Sequence, residues 1–260
     1  MKLFSRSFLV LLVILFIAAC NGKKPVNNSN ESAPTTPVDT SSVADTGYTG
    51  IKQYMSGTTL VKEVTFKNGV RQGLMKSFYQ TGEVRQTFWY KNGLREDSSV
   101  WYYREGQKFR STPYKSDTID GIVKQYYRTG QLKAKIGYSK GFRTLFFEEY
   151  KIDGKLIKGY PEVNFRIDDE YKTKGTCKIT LQMSDKMPNV KFFRGGLTNG
   201  VFDTTICKPI NSANGVAYVV LKKSSKSGSS SVDIVADVIT NFGNNYLVYK
   251  KIDLPYPDLK

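Results

Sequence analysis

A period of 24 residues runs through the first half of this chain and limits its fold more than any other feature. Thr81-Gly82, Glu105-Gly106, Thr129-Gly130 and Asp153-Gly154 lie 24 apart. Phe78-Tyr79, Tyr102-Tyr103 and Tyr126-Tyr127 precede them at the same spacing, and Tyr90, Tyr114 and Tyr138 follow. Asn68-Gly69, Asn92-Gly93 and Lys140-Gly141 mark a second turn in each unit, with Ser116-Asp117 in its place in the third copy. Agreement of these columns makes the period a property of the fold.

The two turns in each unit are separated by short alternating runs. Asn-Gly favours a type I′ hairpin turn, because both positions need positive φ. Leu132, Ala134, Ile136 and Tyr138 are apolar while Lys133 and Lys135 are polar, the period of a half-buried strand. Each unit is therefore a β-hairpin, and residues 49–158 stack into a long antiparallel meander. In the second copy Gln107-Lys108-Phe109 runs one residue out of step, which predicts a bulge there.

Two-residue loops at the Thr-Gly turns would set the faces. Met75, Tyr79, Val84, Phe88 and Tyr90 then share an apolar face with Val123, Tyr127, Leu132, Ile136 and Tyr138. The opposite face carries Lys76, Arg85, Trp89, Lys91, Lys124, Tyr126, Lys133 and Lys135 and is the candidate binding face. A one-residue slip would exchange the faces. Trp89 and Trp101 do not recur at equivalent positions, which marks them for contact rather than scaffold, although Trp101 falls on the apolar side.

The unit Tyr126-Tyr127-Arg128-Thr129-Gly130-Gln131-Leu132 resembles the variant MORN-type repeat. The resemblance covers residues 49–158, under half the chain. It implies a hairpin array. Tandem copies of the variant are often labelled antitoxin components of toxin–antitoxin pairs, and related repeats are described as protein- or lipid-binding scaffolds.

The N-terminus reads as an address. Lys2 and Arg6 precede the apolar run 8–16, which is too short for a spanning helix. Ile17-Ala18-Ala19-Cys20 then resembles the bacterial lipobox, which implies a signal peptide over 1–19, cleavage before Cys20 and lipid on its thiol. Residues 20–48 are rich in Asn, Ser, Thr and Pro and have no aromatic before Tyr48, the composition of a disordered tether. A membrane-anchored envelope lipoprotein facing the periplasm or sitting at the outer membrane is the expected location.

Beyond Lys158 the period stops. Seven strand-like runs, 162–168, 176–184, 189–194, 201–207, 215–223, 231–241 and 245–253, predict an immunoglobulin-like β-sandwich over 159–260. The fold class expected for the whole is all-β. Cys177 is in register with Ile179, Leu181 and Met183 and should point inward, while Cys207 ends another run. Two outcomes stay open for them: a disulfide in an oxidising compartment, or two buried free thiols.

Charge and composition narrow function. The chain has no histidine, so Ser-His-Asp, Cys-His and imidazole–metal chemistry are excluded. It lacks a Gly-x-Ser-x-Gly elbow and a phosphate-binding Gly-rich loop. The cluster Asp168-Asp169-Glu170 lacks the ligand spacing of a calcium loop. No cofactor and no catalysis are expected. Residues 51–158 hold 21 basic and 10 acidic side chains, a net of +11 out of +16. Lysines on exposed faces also keep long sheets soluble. Export argues against nucleic acid as a partner. The expected function is non-catalytic binding or scaffolding, with the membrane held through the N-terminal lipid and an anionic envelope component or another protein on the basic, aromatic-rich face. An antitoxin-like or immunity-like protein that neutralises a partner protein is the alternative.

Overall fold

A computed structural model describes residues 47–225 and 228–260. The signal region, Cys20 and most of the 20–48 tether lie outside them. The described chain is all-β with antiparallel pairing, and its one helix is a single turn.

Ten strands come from the repeat region. They are β1 (Gly50–Ser56), β2 (Thr59–Lys67), β3 (Val70–Phe78), β4 (Val84–Lys91), β5 (Leu94–Tyr102), β6 (Lys108–Lys115), β7 (Thr118–Ile119), β8 (Gly121–Tyr126), β9 (Leu132–Ser139) and β10 (Phe142–Glu149). They pair in chain order within one sheet, with the two-residue β7 hanging off β6. The predicted meander is present, and each 24-residue unit supplies two strands.

The two turns of a unit differ. Asn68-Gly69, Asn92-Gly93, Ser116-Asp117 and Lys140-Gly141 all have positive φ at both positions, the I′ geometry expected. The second residue of each also donates its N–H to the preceding unit: Gly69 to Tyr48, Gly93 to Arg71, Asp117 to Arg95 and Gly141 to Ile119, at 2.7–2.9 Å. The Thr-Gly turns are not two-residue loops. Tyr127 N–H bonds Gln131 O and Gly130 N–H bonds Tyr127 O, both at 2.9 Å, so three residues sit between the closing pair and Gly130 takes φ +90°. Units at Tyr79, Tyr103 and Lys151 close in the same way.

The longer loop changes the register beyond it. Ser77 faces Gln86 while Phe78 faces Val84, leaving Arg85 extra. Phe109 and Lys133 are extra in the next two units. The bulge expected only in the second copy thus recurs in three. A second irregularity falls at Gly73, Asp97 and Gly121, again 24 apart and each with positive φ.

The C-terminal part contributes β11 (Val163–Glu170), α1 (Tyr171–Lys174), β12 (Thr176–Met183), β13 (Val190–Arg194), β14 (Val201–Phe202), β15 (Lys208–Ile210), β16 (Ser212–Ala213), β17 (Val216–Lys222), β18 (Ser231–Ile239) and β19 (Asn245–Asp253). Two four-stranded sheets, ordered β11-β12-β17-β16 and β15-β13-β18-β19, enclose the main core. Ile179, Leu181 and Leu221 from one sheet meet Phe192, Ile234 and Ile252 from the other, all fully buried. Alternating burial along β12 and β17 matches the period-two pattern in their sequences.

The run expected at 201–207 is broken. Val201 and Phe202 pair with Thr144 and Arg143 of β10 and extend the repeat sheet, after which Asp203 turns the chain by accepting the N–H groups of Thr205 and Cys207.

Candidate functional site

Direct pairing across the repeat sheet gives its faces. On one, Glu63, Lys76, Thr87, Val100, Ser111, Lys124, Lys135 and Glu148 form a row of facing positions. Leu74 opposite Trp89 lies on the same face, as do Lys91 and Tyr126 by alternation. Six of the eight residues of the candidate binding face are therefore together: Lys76, Trp89, Lys91, Lys124, Tyr126 and Lys135.

Arg85 and Lys133 are not with them. Each is the extra residue of a bulge and projects to the other face beside its following neighbour. The Arg85 guanidinium lies 5.9 Å from the centre of the Trp101 ring, and Trp101 faces Gln86. Lys133 lies 5.8 Å from the Tyr127 ring and near Glu149, which faces Ala134. Burial holds the Lys133 ammonium below the ordinary lysine range, against the opposing pull of Glu149. The same slip sends Val84 and Leu132 off the apolar face.

Much of the basic charge is used within the sheet. Arg71 lies over Tyr90, Arg95 over Tyr114, Arg104 over Tyr79 and Arg128 over Tyr103, at 4.4–5.6 Å. The guanidinium heads themselves lie on the rings, and those of Arg95 and Arg128 also pair with Asp117 and Glu105. The Nε atoms of Arg85 and Arg110 are buried without an acceptor among the described residues. The recurring tyrosines join unit to unit. Tyr79 Oη donates to Tyr102 O at 2.7 Å, Tyr103 Oη to Tyr126 O at 2.9 Å and Tyr127 Oη to Tyr150 O at 2.7 Å.

The lysine-bearing face is different. Lys76, Lys91 and Lys124 make no hydrogen bond or ion pair among the described residues. Lys135 bonds Glu148 at 2.9 Å, which holds its ammonium above the usual lysine range. Glu148 is held below the usual carboxylate range, first by the Tyr150 hydroxyl at 2.6 Å and then by Lys135. Trp89, 47% exposed, stands beside exposed Leu74. Free ammonium groups beside uncovered apolar surface can hold an anionic partner and shield it partly from water.

The two cysteines do not pair. Both are free and buried. Cys177 lies in the core between the two sandwich sheets, whereas Cys207 packs with Phe202, Val235 and Leu247 in a separate cluster. β18 separates the two: Ile234 and Ala236 face the first cluster and Val235 the second. Burial raises both thiols, so neither has the character of a reactive thiolate.

Where β10 meets the sandwich, the pair Glu148-Glu149, which reads in the sequence as a bland solvated acidic pair, is split: Glu148 stays on the lysine-bearing face and Glu149 is buried. Its carboxylate, 1% exposed, accepts from Thr240 Oγ1 at 2.8 Å, Asn244 Nδ2 at 2.6 Å and Tyr160 Oη at 3.3 Å. Arg143 adds a two-pronged ion pair to Asp237 at 3.1 and 2.5 Å. Phe147, Tyr160 and Tyr246 pack with centroids 5.0–5.5 Å apart. A cleft of about 160 Å³ opens beside Glu149, bordered by Tyr160, Asp185, Met187, Phe242 and Tyr246. Among the described residues no three His, Cys, Asp or Glu side chains gather as a metal site.

The chain matches no protein-family model, and no curated protein matches it in sequence.

Proposed function

We propose that this chain is a lipid-anchored envelope protein whose MORN-like hairpin array acts as a non-catalytic binding or scaffolding surface for an anionic envelope component or an acidic protein. One observation carries the proposal. Lys76, Lys91 and Lys124 share a face with exposed Trp89 and Leu74, and their charge is not consumed within the fold. Arginines on the other face lie on tyrosine rings and serve the sheet. Cys20 carries the anchor, and the segment before Tyr48 spans the distance to the membrane.

Retention of the full chain on anionic lipid vesicles, on an acidic polysaccharide and on immobilised envelope extract tests the proposal. Wild type should be retained on at least one matrix and released as salt shortens the Debye length from about 10 Å at 0.1 M to about 3 Å at 1 M. Trp89→Ala should weaken retention at unchanged charge. Equal behaviour of wild type and variant on every matrix would leave the lysines with a solubility role alone.

A further inference from the structure

The cleft beside Glu149 has two carboxylates, Glu149 and Asp185, in its lining. Glu149 is buried with three neutral donors, and no cation lies within ion-pair distance of it among the described residues. A buried charge is ordinarily paired. The Asp185 carboxylate, at the mouth, accepts the Met187 N–H at 3.2 Å and no other hydrogen bond among the described residues. The negative field of these two carboxylates reaches the walls: burial raises the Tyr246 phenol to about 12, and Asp185 and Glu149 add to the rise. Tyr160 is raised by burial and by Glu149. Three aromatic rings, Tyr160, Tyr246 and Phe242, border the space. Rings attract cations through their quadrupoles, and more strongly where water is excluded.

We propose that this cleft binds a small organic cation with an alkylammonium head. Its volume of about 160 Å³ is roughly ten times the ~10–15 Å³ that admits a single water, which leaves room for one small substituted ammonium. The carboxylates supply the charge, and the rings supply polarisable apolar walls that a bare metal ion would not use. Two cations of the chain itself stand near. Lys133 feels Glu149 without forming an ion pair, and Lys158 borders the cleft. Lys158 is exposed and competes with the ligand for the same field.

Tetramethylammonium chloride is the probe, titrated at constant ionic strength into the full chain carrying 13C-methyl methionine. The Met187 methyl reports from the cleft wall. It should shift saturably with tetramethylammonium and not with tert-butanol, a neutral molecule of similar shape. Asp185→Asn and Phe242→Ala should each weaken the apparent affinity about threefold or more. Lys158→Ala should leave it unchanged or strengthen it, and Lys76→Ala, on the array's lysine face, should leave it unchanged. No saturable shift, an equal response to tert-butanol, or indifference to Asp185→Asn would each overturn the proposal. Unperturbed chemical shifts elsewhere in Asp185→Asn and Phe242→Ala keep loss of binding distinct from loss of fold.

Discussion

Removing the tyrosine hydroxyls that link unit to unit tests how the array holds together. Tyr103→Phe deletes one oxygen and keeps the ring, its edge contact with Phe109 at 5.2 Å and the Arg128 guanidinium 4.7 Å above it. What is lost is the donor to Tyr126 O at 2.9 Å. A net hydrogen bond of this kind contributes about 1 kcal/mol. Tyr79 and Tyr127 make the equivalent bonds two strands away on either side. Two strands span about 10 Å, far enough for the effects to add, so the triple Phe variant should lose about 3 kcal/mol. With a urea slope of about 2 kcal/mol/M, the midpoint falls about 0.5 M for one substitution and about 1.5 M for three. Tyr103→Ala also removes a partly buried ring and should cost about 2 kcal/mol or more on its own. Tyr54→Phe, at a phenol outside the ladder, should move the midpoint by less than about 0.2 M. A triple variant that unfolds with wild type, or a Tyr54→Phe shift equal to that of Tyr103→Phe, would refute the ladder as a source of stability.

Three further outcomes follow from the geometry. Asp237→Ala leaves Arg143 largely buried and unpaired and should destabilise by about 2–3 kcal/mol, more than the Asp237/Arg143 double alanine variant, measured by urea unfolding. Gly130→Val should cost about 1–3 kcal/mol through backbone strain alone, because nothing lies within 4 Å of the added Cβ; a thermal scan that matches wild type would contradict a left-handed turn there. Tyr246 stays protonated in the fold up to about 12 while the unfolded phenol ionises near 10. Its contribution is therefore complete below pH 10 and is lost as pH rises towards 12, and a Tyr246→Phe variant should show a shallower alkaline fall in melting temperature.

The hairpin order of the repeat region was legible because turn residues announce themselves. Asn68-Gly69 and Asn92-Gly93 demand positive φ, and their 24-residue spacing fixes which strands are neighbours. The faces were only partly legible. Thr129-Gly130 closes with three residues rather than two, and the surplus returns as a bulge at Lys133, so Lys133 and Leu132 trade faces while Lys124, Lys135 and Val123 do not. The 24-spaced Gly73, Asp97 and Gly121 could have revealed the second irregularity. Burial of Cys177 was readable from alternation along its strand, but its distance from Cys207 was not, since sequence does not say which side of β18 a loop cysteine will reach. Nor could the chain order disclose that Val201 and Phe202 would leave the sandwich for β10, or that Glu149 would be enclosed by Thr240 and Asn244, more than 90 residues away.

Lys124 and Lys133 lie nine residues apart on adjacent strands of one hairpin and project to opposite faces. The salt concentration that elutes the full chain from immobilised envelope extract separates them most directly. Lys124→Ala should elute at lower salt than wild type and show a shallower dependence on ionic strength, while Lys133→Ala should elute with wild type. The same shift for both, or a shift for Lys133→Ala alone, would contradict the assignment of the binding surface to the lysine-bearing face.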